Sequence, residues 1–251
     1  MITESFDDKS EAIINPIPNK NRVKCDICIA TFSNLIEKHI LNTFEVNKIG
    51  TYKCVNGVFP VHIFEYKGKV IAIYKSLLGA PASVAALEEV SKILDFKRLL
   101  VFGSSGTLNK ELCHNKVVVP TYAYRDEGTS YHYAKAENYI EIKNANIVAE
   151  FMERNNIPFS LGKCWTTDAF YRETRNNFQK RRDEGCLVVD MECSAMQAVC
   201  NFRNINLYYF LLPGDMLDAP KWDNDKRHDA NHHVNNFDIA LQLAMYIVNK
   251  I

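Results

Sequence analysis

The chain has 251 residues, with 30 basic and 30 acidic side chains interspersed to a formal net charge of zero. That balance leaves no basic stripe for nucleic acid or for an anionic membrane surface, and the length suffices for one substantial core. No apolar run approaches the roughly 18 to 20 residues of a membrane span, and Met1 to Ser10 is polar and acidic rather than signal-like, so a cytoplasmic protein with a small-molecule partner is expected.

Residues 1–21, with Pro16 and Pro18 among polar residues, read as an extended arm on a single domain spanning 1–251. The first β-rich run is Val23 to Ala30. Within it Cys25-Asp26-Ile27-Cys28 has the spacing of a redox or zinc pair, but residues three apart on a strand point to opposite faces. Eight cysteines scattered through apolar segments suit reduced core thiols. Further β-rich runs are Val70 to Lys75, Arg98 to Phe102, Lys116 to Pro120, Cys186 to Val189 and Leu207 to Leu212. Apolar residues recur at helical spacing in Ala82 to Leu94 (Val84, Leu87, Val90, Ile93, Leu94), in Ile147 to Arg154 and in Phe237 to Val248. Strands alternating with helices predict the α/β class, a three-layer α/β/α sandwich around a mixed central sheet. His228, His232 and His233 lie among Asp229, Asn231, Asn235 and Asn236, which reads as a solvated helix start rather than a metal site.

Three strand ends carry unusual chemistry. Leu99 to Phe102 opens into Gly103-Ser104-Ser105-Gly106-Thr107, a small-residue turn whose backbone N–H groups suit an anion or a planar base. Val188-Val189 runs into Asp190-Met191-Glu192 and then an amphipathic helix. Ligands of open α/β sheets bind outside the carboxyl ends of the strands, and a carboxylate there holds a vicinal diol, such as that of a ribose, through two accepted hydrogen bonds. Acids at a helix start also simply complement its dipole. Tyr208 to Leu212 ends on Pro213-Gly214-Asp215, which equally describes a turn or a cap. Convergence of the three on one crevice is what favours a site. Between them fall the aromatic-rich segments Tyr122 to Tyr133 and Trp165 to Thr174. In strand-to-helix connections such rings stack on a heterocycle or fill space beneath loops.

In order along the chain, Gly79-Ala80-Pro81-Ala82 before a helix, Gly103 to Gly106, Arg125 to Tyr133, Trp165 to Thr174, Val189 to Glu192 and Gly214-Asp215 resemble the nucleoside phosphorylase superfamily. That family contains the purine nucleoside and uridine phosphorylases and their nucleosidase relatives. The resemblance implies that Met191 and Glu192 grip the ribose, with Asp190 in the same strand end. It places Phe170 and Tyr171 against the base with Ser105 and Gly106, and Gly103, Ser104 and Arg125 at the nucleophile or phosphate site. Asp215 matches the acid that protonates a leaving purine, although the Ser that precedes this acid in the family is Gly214 here. Such an acid is helped by apolar surroundings, which Tyr208 to Leu212 and Trp222 are expected to supply.

Two phosphate-holding arginines of the phosphorylases have no counterpart. The family's Gly-Asp-Pro-x-Arg turn after the first strand is Ala30-Thr31-Phe32-Ser33-Asn34, and the Arg two residues before the small-residue loop is Val101. At about 1.5 to 3 kcal/mol per charge-assisted contact, their loss weakens phosphate binding by roughly two to four powers of ten. Lys75, Arg125, Arg172, Arg175 or a neighbouring subunit would have to compensate. The resemblance implies a pentosyltransferase without a cofactor or metal, cleaving the N-glycosidic bond of a purine nucleoside with inorganic phosphate as co-substrate. A phosphate-independent nucleosidase is the alternative, and a non-catalytic nucleoside-binding protein the third reading. A homo-oligomer, dimer or hexamer, is implied as well, with the N-terminal arm or the segment near Lys48 as its contact.

Overall fold

The computed structural model describes residues 1–219, 222 and 234–250. His228, His232 and His233 lie outside them. Asp26 divides the first predicted strand into β1 (Val23–Lys24) and β2 (Ile27–Thr31), because its N–H and Oδ2 engage the backbone of Val70. Helix α1 (Asn34–Thr43) is capped by Ser33, whose Oγ accepts from the Ile36 N–H. A hairpin that periodicity did not reveal follows, β3 (Val46–Cys54) and β4 (Gly57–Tyr66), turning through Val55-Asn56. The next turn, Lys67-Gly68, has both residues at positive φ, as a two-residue hairpin loop of this twist requires, and leads into β5 (Lys69–Lys75).

The remaining elements are α2 (Ala80–Ile93), β6 (Leu94–Asp95), β7 (Arg98–Thr107), α3 (Lys110–Cys113), β8 (Val117–Asp126), β9 (Tyr139–Glu141), α4 (Ala145–Arg154), β10 (Phe159–Thr167), α5 (Arg175–Asp183), β11 (Cys186–Asp190), α6 (Cys193–Phe202), β12 (Asn206–Met216) and α7 (Val234–Lys250). β10 was not foreseen, and Tyr122 and Trp165 lie within strands rather than in connections. The main sheet runs β11-β10-β8-β12-β7-β2-β5-β4-β3, with β9 on β8 and both parallel and antiparallel pairs. β11 also pairs antiparallel with β7, Val189 opposite Gly106, so β7, β12, β8, β10 and β11 close on one another. The closure depends on Gly106. A Cβ there would stand 2.6 Å from Leu217 and 2.8 Å from Val189, so no larger residue fits.

Strand alternation sorts the core into layers. Cys28 and Ala30 of β2 face α2 and α6 through Val84, Leu87, Met196 and Val199, whereas Ile27 and Ile29 face α1, α4 and α7 through Ile36, Val148, Phe237 and Leu241. Each fully buried Ile or Leu contributes about 1.5 to 3 kcal/mol. The architecture is the expected three-layer α/β/α sandwich on a mixed sheet. Burial raises the Cys28 thiol well above its ordinary range and pushes Cys25, in the bend before β2, up to about 12, so neither offers a thiolate. The N-terminal arm runs over the surface beside α2, where the Asn19 N–H meets the Lys92 carbonyl, and leaves Ile13, Ile14 and Ile17 exposed. Among the described residues no helix is long and apolar enough to cross a membrane.

Candidate active site

At the end of β11 the chain must turn into α6, and the first N–H groups of that helix need acceptors. Asp190 supplies them. Its Oδ2 accepts from the N–H groups of Glu192 and Cys193 at 3.3 and 2.8 Å and from the Tyr209 hydroxyl at 3.0 Å; its Oδ1 accepts from Thr166 Oγ1 at 2.8 Å and Cys164 Sγ at 3.2 Å. A carboxylate has about four lone-pair sites. Five donors therefore occupy Asp190, which builds the turn. Thr166 Oγ1 caps the same helix by accepting from the Ser194 N–H at 3.1 Å.

Glu192 is the carboxylate this turn presents. It is buried, and its Oε1 accepts from the Gly79 N–H at 2.6 Å, with the Met191 backbone N–H also donating toward its carboxyl. Gly79 sits at φ 92° and ψ 146°, a conformation open essentially to glycine, just before Pro81 in the first turn of α2. Burial raises both carboxyls of the pair above their ordinary range. Its donors offset this for Asp190, whereas Glu192, buried beside the Asp190 charge with fewer donors, is pushed up to about 8. Met191 lies half-buried between the two acids.

Asp215 lies where the pairing of β12 with β7 skips from Pro213–Ser105 to Met216–Thr107. The irregularity turns Gly214 and Asp215 out of the ladder. A cavity of about 260 Å³ opens there, lined by Asp215, Phe170, Tyr171, Glu173, Arg175 and Trp222, among others. That volume suits a heterocycle rather than a whole nucleoside. The Phe170 and Tyr171 rings lie 3.9 Å apart in a short 3-10 turn after β10. Trp222 contributes polarity where an apolar cover was expected: its Nε1 donates to Asp215 Oδ2 at 2.7 Å. Gly106 lies between β11 and Asp215. The Cβ it lacks would touch Val189, just ahead of Asp190, and stand 3.7 Å from Asp215 Oδ1. A larger cavity of about 460 Å³ behind Pro213 and Gly214, walled by Lys116, Ile157 and Ile239, has no carboxylate among its described lining residues.

The side expected to take the nucleophile differs from the sequence expectation at Arg125. Its guanidinium is buried and donates to Ser130 Oγ at 2.8 Å and to the carbonyls of Lys135, Ala134 and Glu137, with the Tyr131 ring 4.1 Å away. It is the internal frame of the 126–138 loop, and few of its five N–H donors remain. Arg175 bonds the carbonyls of Leu217 and Ala219 beside the base cavity, and Arg172 lies in the Phe170 turn. Lys75 ends β5 opposite Thr31, with its Nζ 2.7 Å from Asn34 Oδ1. Gly103 faces the Phe32 ring, which a Cβ at that position would meet at 3.1 Å. Ser105 Oγ is buried without a hydrogen-bond partner among the described residues. The Gly79 N–H, Thr166 and Phe32 had no assigned role in the sequence reading; only a Gly-x-Pro at a helix start hinted at the first.

Glu192 after β11, Asp215 on β12 and the β7 glycine packed between Val189 and Asp215 lie on a mixed α/β sheet, with Phe170 and Tyr171 lining the cavity at Asp215. The family model of the phosphorylase superfamily matches residues 29–251, and the chain belongs to that superfamily. It is 25% identical over 238 residues to an uncharacterized protein of Acanthamoeba polyphaga mimivirus, covering 93% of this chain and 91% of that one. It is 24% identical over 219 residues to a DeoD-type purine nucleoside phosphorylase of Exiguobacterium sp., covering 84% and 90%. A DeoD-type purine nucleoside phosphorylase of Bacillus cytotoxicus is 24% identical over 186 residues, covering 72% and 77%.

Proposed function

We propose that this protein cleaves the N-glycosidic bond of a purine nucleoside, as a pentosyltransferase of the phosphorylase type. The observation that carries the reading is that Gly106 sets the β11 strand, which leads into Glu192, beside Asp215, whose cavity also holds Phe170 and Tyr171. Glu192 accepts from the ribose hydroxyls while its other oxygen stays on the Gly79 N–H, and Met191 packs against the sugar. Phe170 and Tyr171 stack on the base, and Ser105 and Gly106 border it. Asp215 gives a proton to the departing base as the bond to the sugar breaks through an oxocarbenium-like transition state, an effect worth about 10² to 10⁴ in rate. Asp190 acts through Glu192, whose backbone it holds.

Inorganic phosphate is the nucleophile that the superfamily favours, and it would enter past Gly103 and Ser104 with Lys75 as the nearby cation. Water is the second reading, favoured by a specific observation: the Phe32 ring occupies the face of Gly103, and Arg125 is spent on its own loop. Base release from a panel of nucleosides, measured with and without phosphate, tests both. Release that requires phosphate supports phosphorolysis, release indifferent to phosphate supports hydrolysis, and binding without release by wild type would leave only a nucleoside-binding protein. We also propose a homo-oligomer, dimer or hexamer, in which the exposed Ile13, Ile14 and Ile17 of the arm meet a second copy; light scattering of arm-deleted protein tests it.

A further inference from the structure

Asp215 follows Gly214, which has no side chain to hold it, and lies where β12 leaves its ladder. A proton donor free to rotate would lose the alignment that makes general acid catalysis effective. One hydrogen bond constrains it. Trp222 Nε1 donates to Oδ2 at 2.7 Å, and Oδ1 lies toward Gly106, 3.7 Å from the Cβ position there. Trp222 and Asp215 both line the cavity that holds Phe170 and Tyr171. The two carboxyl oxygens are thus distinguished by their surroundings.

We propose that Trp222 is the positioning residue for Asp215, replacing the orienting role that Gly214 cannot play, and that Oδ1 is the oxygen that meets the base. This rests on the nucleoside-cleaving reading of the site. With Oδ2 held by the indole N–H, Oδ1, on the side of the small-residue turn, is the oxygen that passes a proton to the base. As the glycosidic bond breaks, its electron pair goes to the base, the Oδ1 proton goes to a base nitrogen, and Asp215 is left as a carboxylate. The nucleophile, phosphate or water, closes the sugar carbon, and Asp215 regains a proton from solvent. Trp222 touches neither sugar carbon nor nucleophile and acts only through the carboxyl.

A leaving group that departs without a proton separates this role from that of a cavity wall. Trp222→Phe keeps an aromatic ring but removes the N–H donor, and Trp222 is 52% exposed, so the fold does not depend on it. For a purine nucleoside the variant is expected to lose about 10- to 100-fold in kcat with KM within about threefold, since mispositioning forfeits part of the acid's contribution. For p-nitrophenyl riboside, whose phenolate leaves unassisted, kcat is expected to stay within about threefold of wild type. Trp222→His, which retains a ring N–H, is expected to recover part of the lost kcat. Equal losses on the two substrates, a loss confined to KM, or no loss on either would overturn the proposal. Wild-type protein that cleaves neither substrate would instead remove the reading of the site on which it rests.

Discussion

The Gly79 N–H meets Glu192 Oε1 at 2.6 Å, joining the start of α2 to the end of β11 across 113 positions of sequence. The bond fixes one carboxyl oxygen of Glu192 to the backbone of α2's first turn. A side chain at φ 92° is strained whatever space surrounds it, so Gly79→Ala is expected to cost about 1 to 3 kcal/mol in stability. The same variant should raise KM for nucleoside more than it lowers kcat. Chemical denaturation and steady-state kinetics on one preparation measure both.

Glu192 makes the protein's stability depend on pH in a defined direction. Its folded value of about 8 lies above the ordinary glutamate value of 4.5, so the fold retains a proton that the unfolded chain has released. The stabilisation is fully present below 4.5 and is lost as pH rises through about 8. Thermal melts should show stability falling across that window, by at most a few kcal/mol, and Glu192→Gln should flatten the trend. Nucleoside kcat/KM should rise toward pH 8 as the acceptor carboxylate forms. In Glu192→Gln that rise should vanish, together with about 10- to 150-fold of activity, the worth of a charge-assisted bond of about 1.5 to 3 kcal/mol.

Asp190 is expected to behave as a structural acid. Asp190→Asn turns one acceptor oxygen into an amide donor facing donors, and leaves at least one buried group unpaired at about 1 to 3 kcal/mol each. A clear drop in melting temperature is predicted. Nucleoside should restore part of it at saturating concentration, because binding shifts the folding equilibrium.

Arg125 and Lys75 should separate cleanly. Arg125→Lys breaks the carbonyl-bound frame of the 126–138 loop, so proteolysis within that loop should quicken while any phosphate KM changes little. Lys75→Met removes the cation at the end of β5, and phosphate KM should rise about tenfold. The reverse pattern would return Arg125 to the phosphate site.

Long amphipathic segments were legible in the sequence: α2, α4 and α7 lie where apolar spacing placed them, because a helix with one buried face writes its period into the chain. The β3 and β4 hairpin was missed because half-exposed strands mix polar and apolar residues without strict alternation. β10 was missed because Gly162, Lys163 and Cys164 interrupt its apolar pattern. Arg125 read as a phosphate ligand because nothing local shows that the carbonyls of residues 134, 135 and 137 fold back onto its guanidinium.

By itself the sequence determined the α/β class, the family and the identity of the acids at the strand ends, because periodicity and motif order are local properties of a chain. Which of those acids is consumed by the protein's own donors was decided only by tertiary structure. Asp190 and Glu192 are two residues apart and chemically alike. One is consumed by donors from β10, β12 and α6, and the other meets fewer, chief among them the Gly79 N–H at the start of α2, because hydrogen-bond satisfaction inside a core depends on which distant strands closure brings together. The same closure set Gly106 between Val189 and Asp215 and brought two separate strand ends side by side.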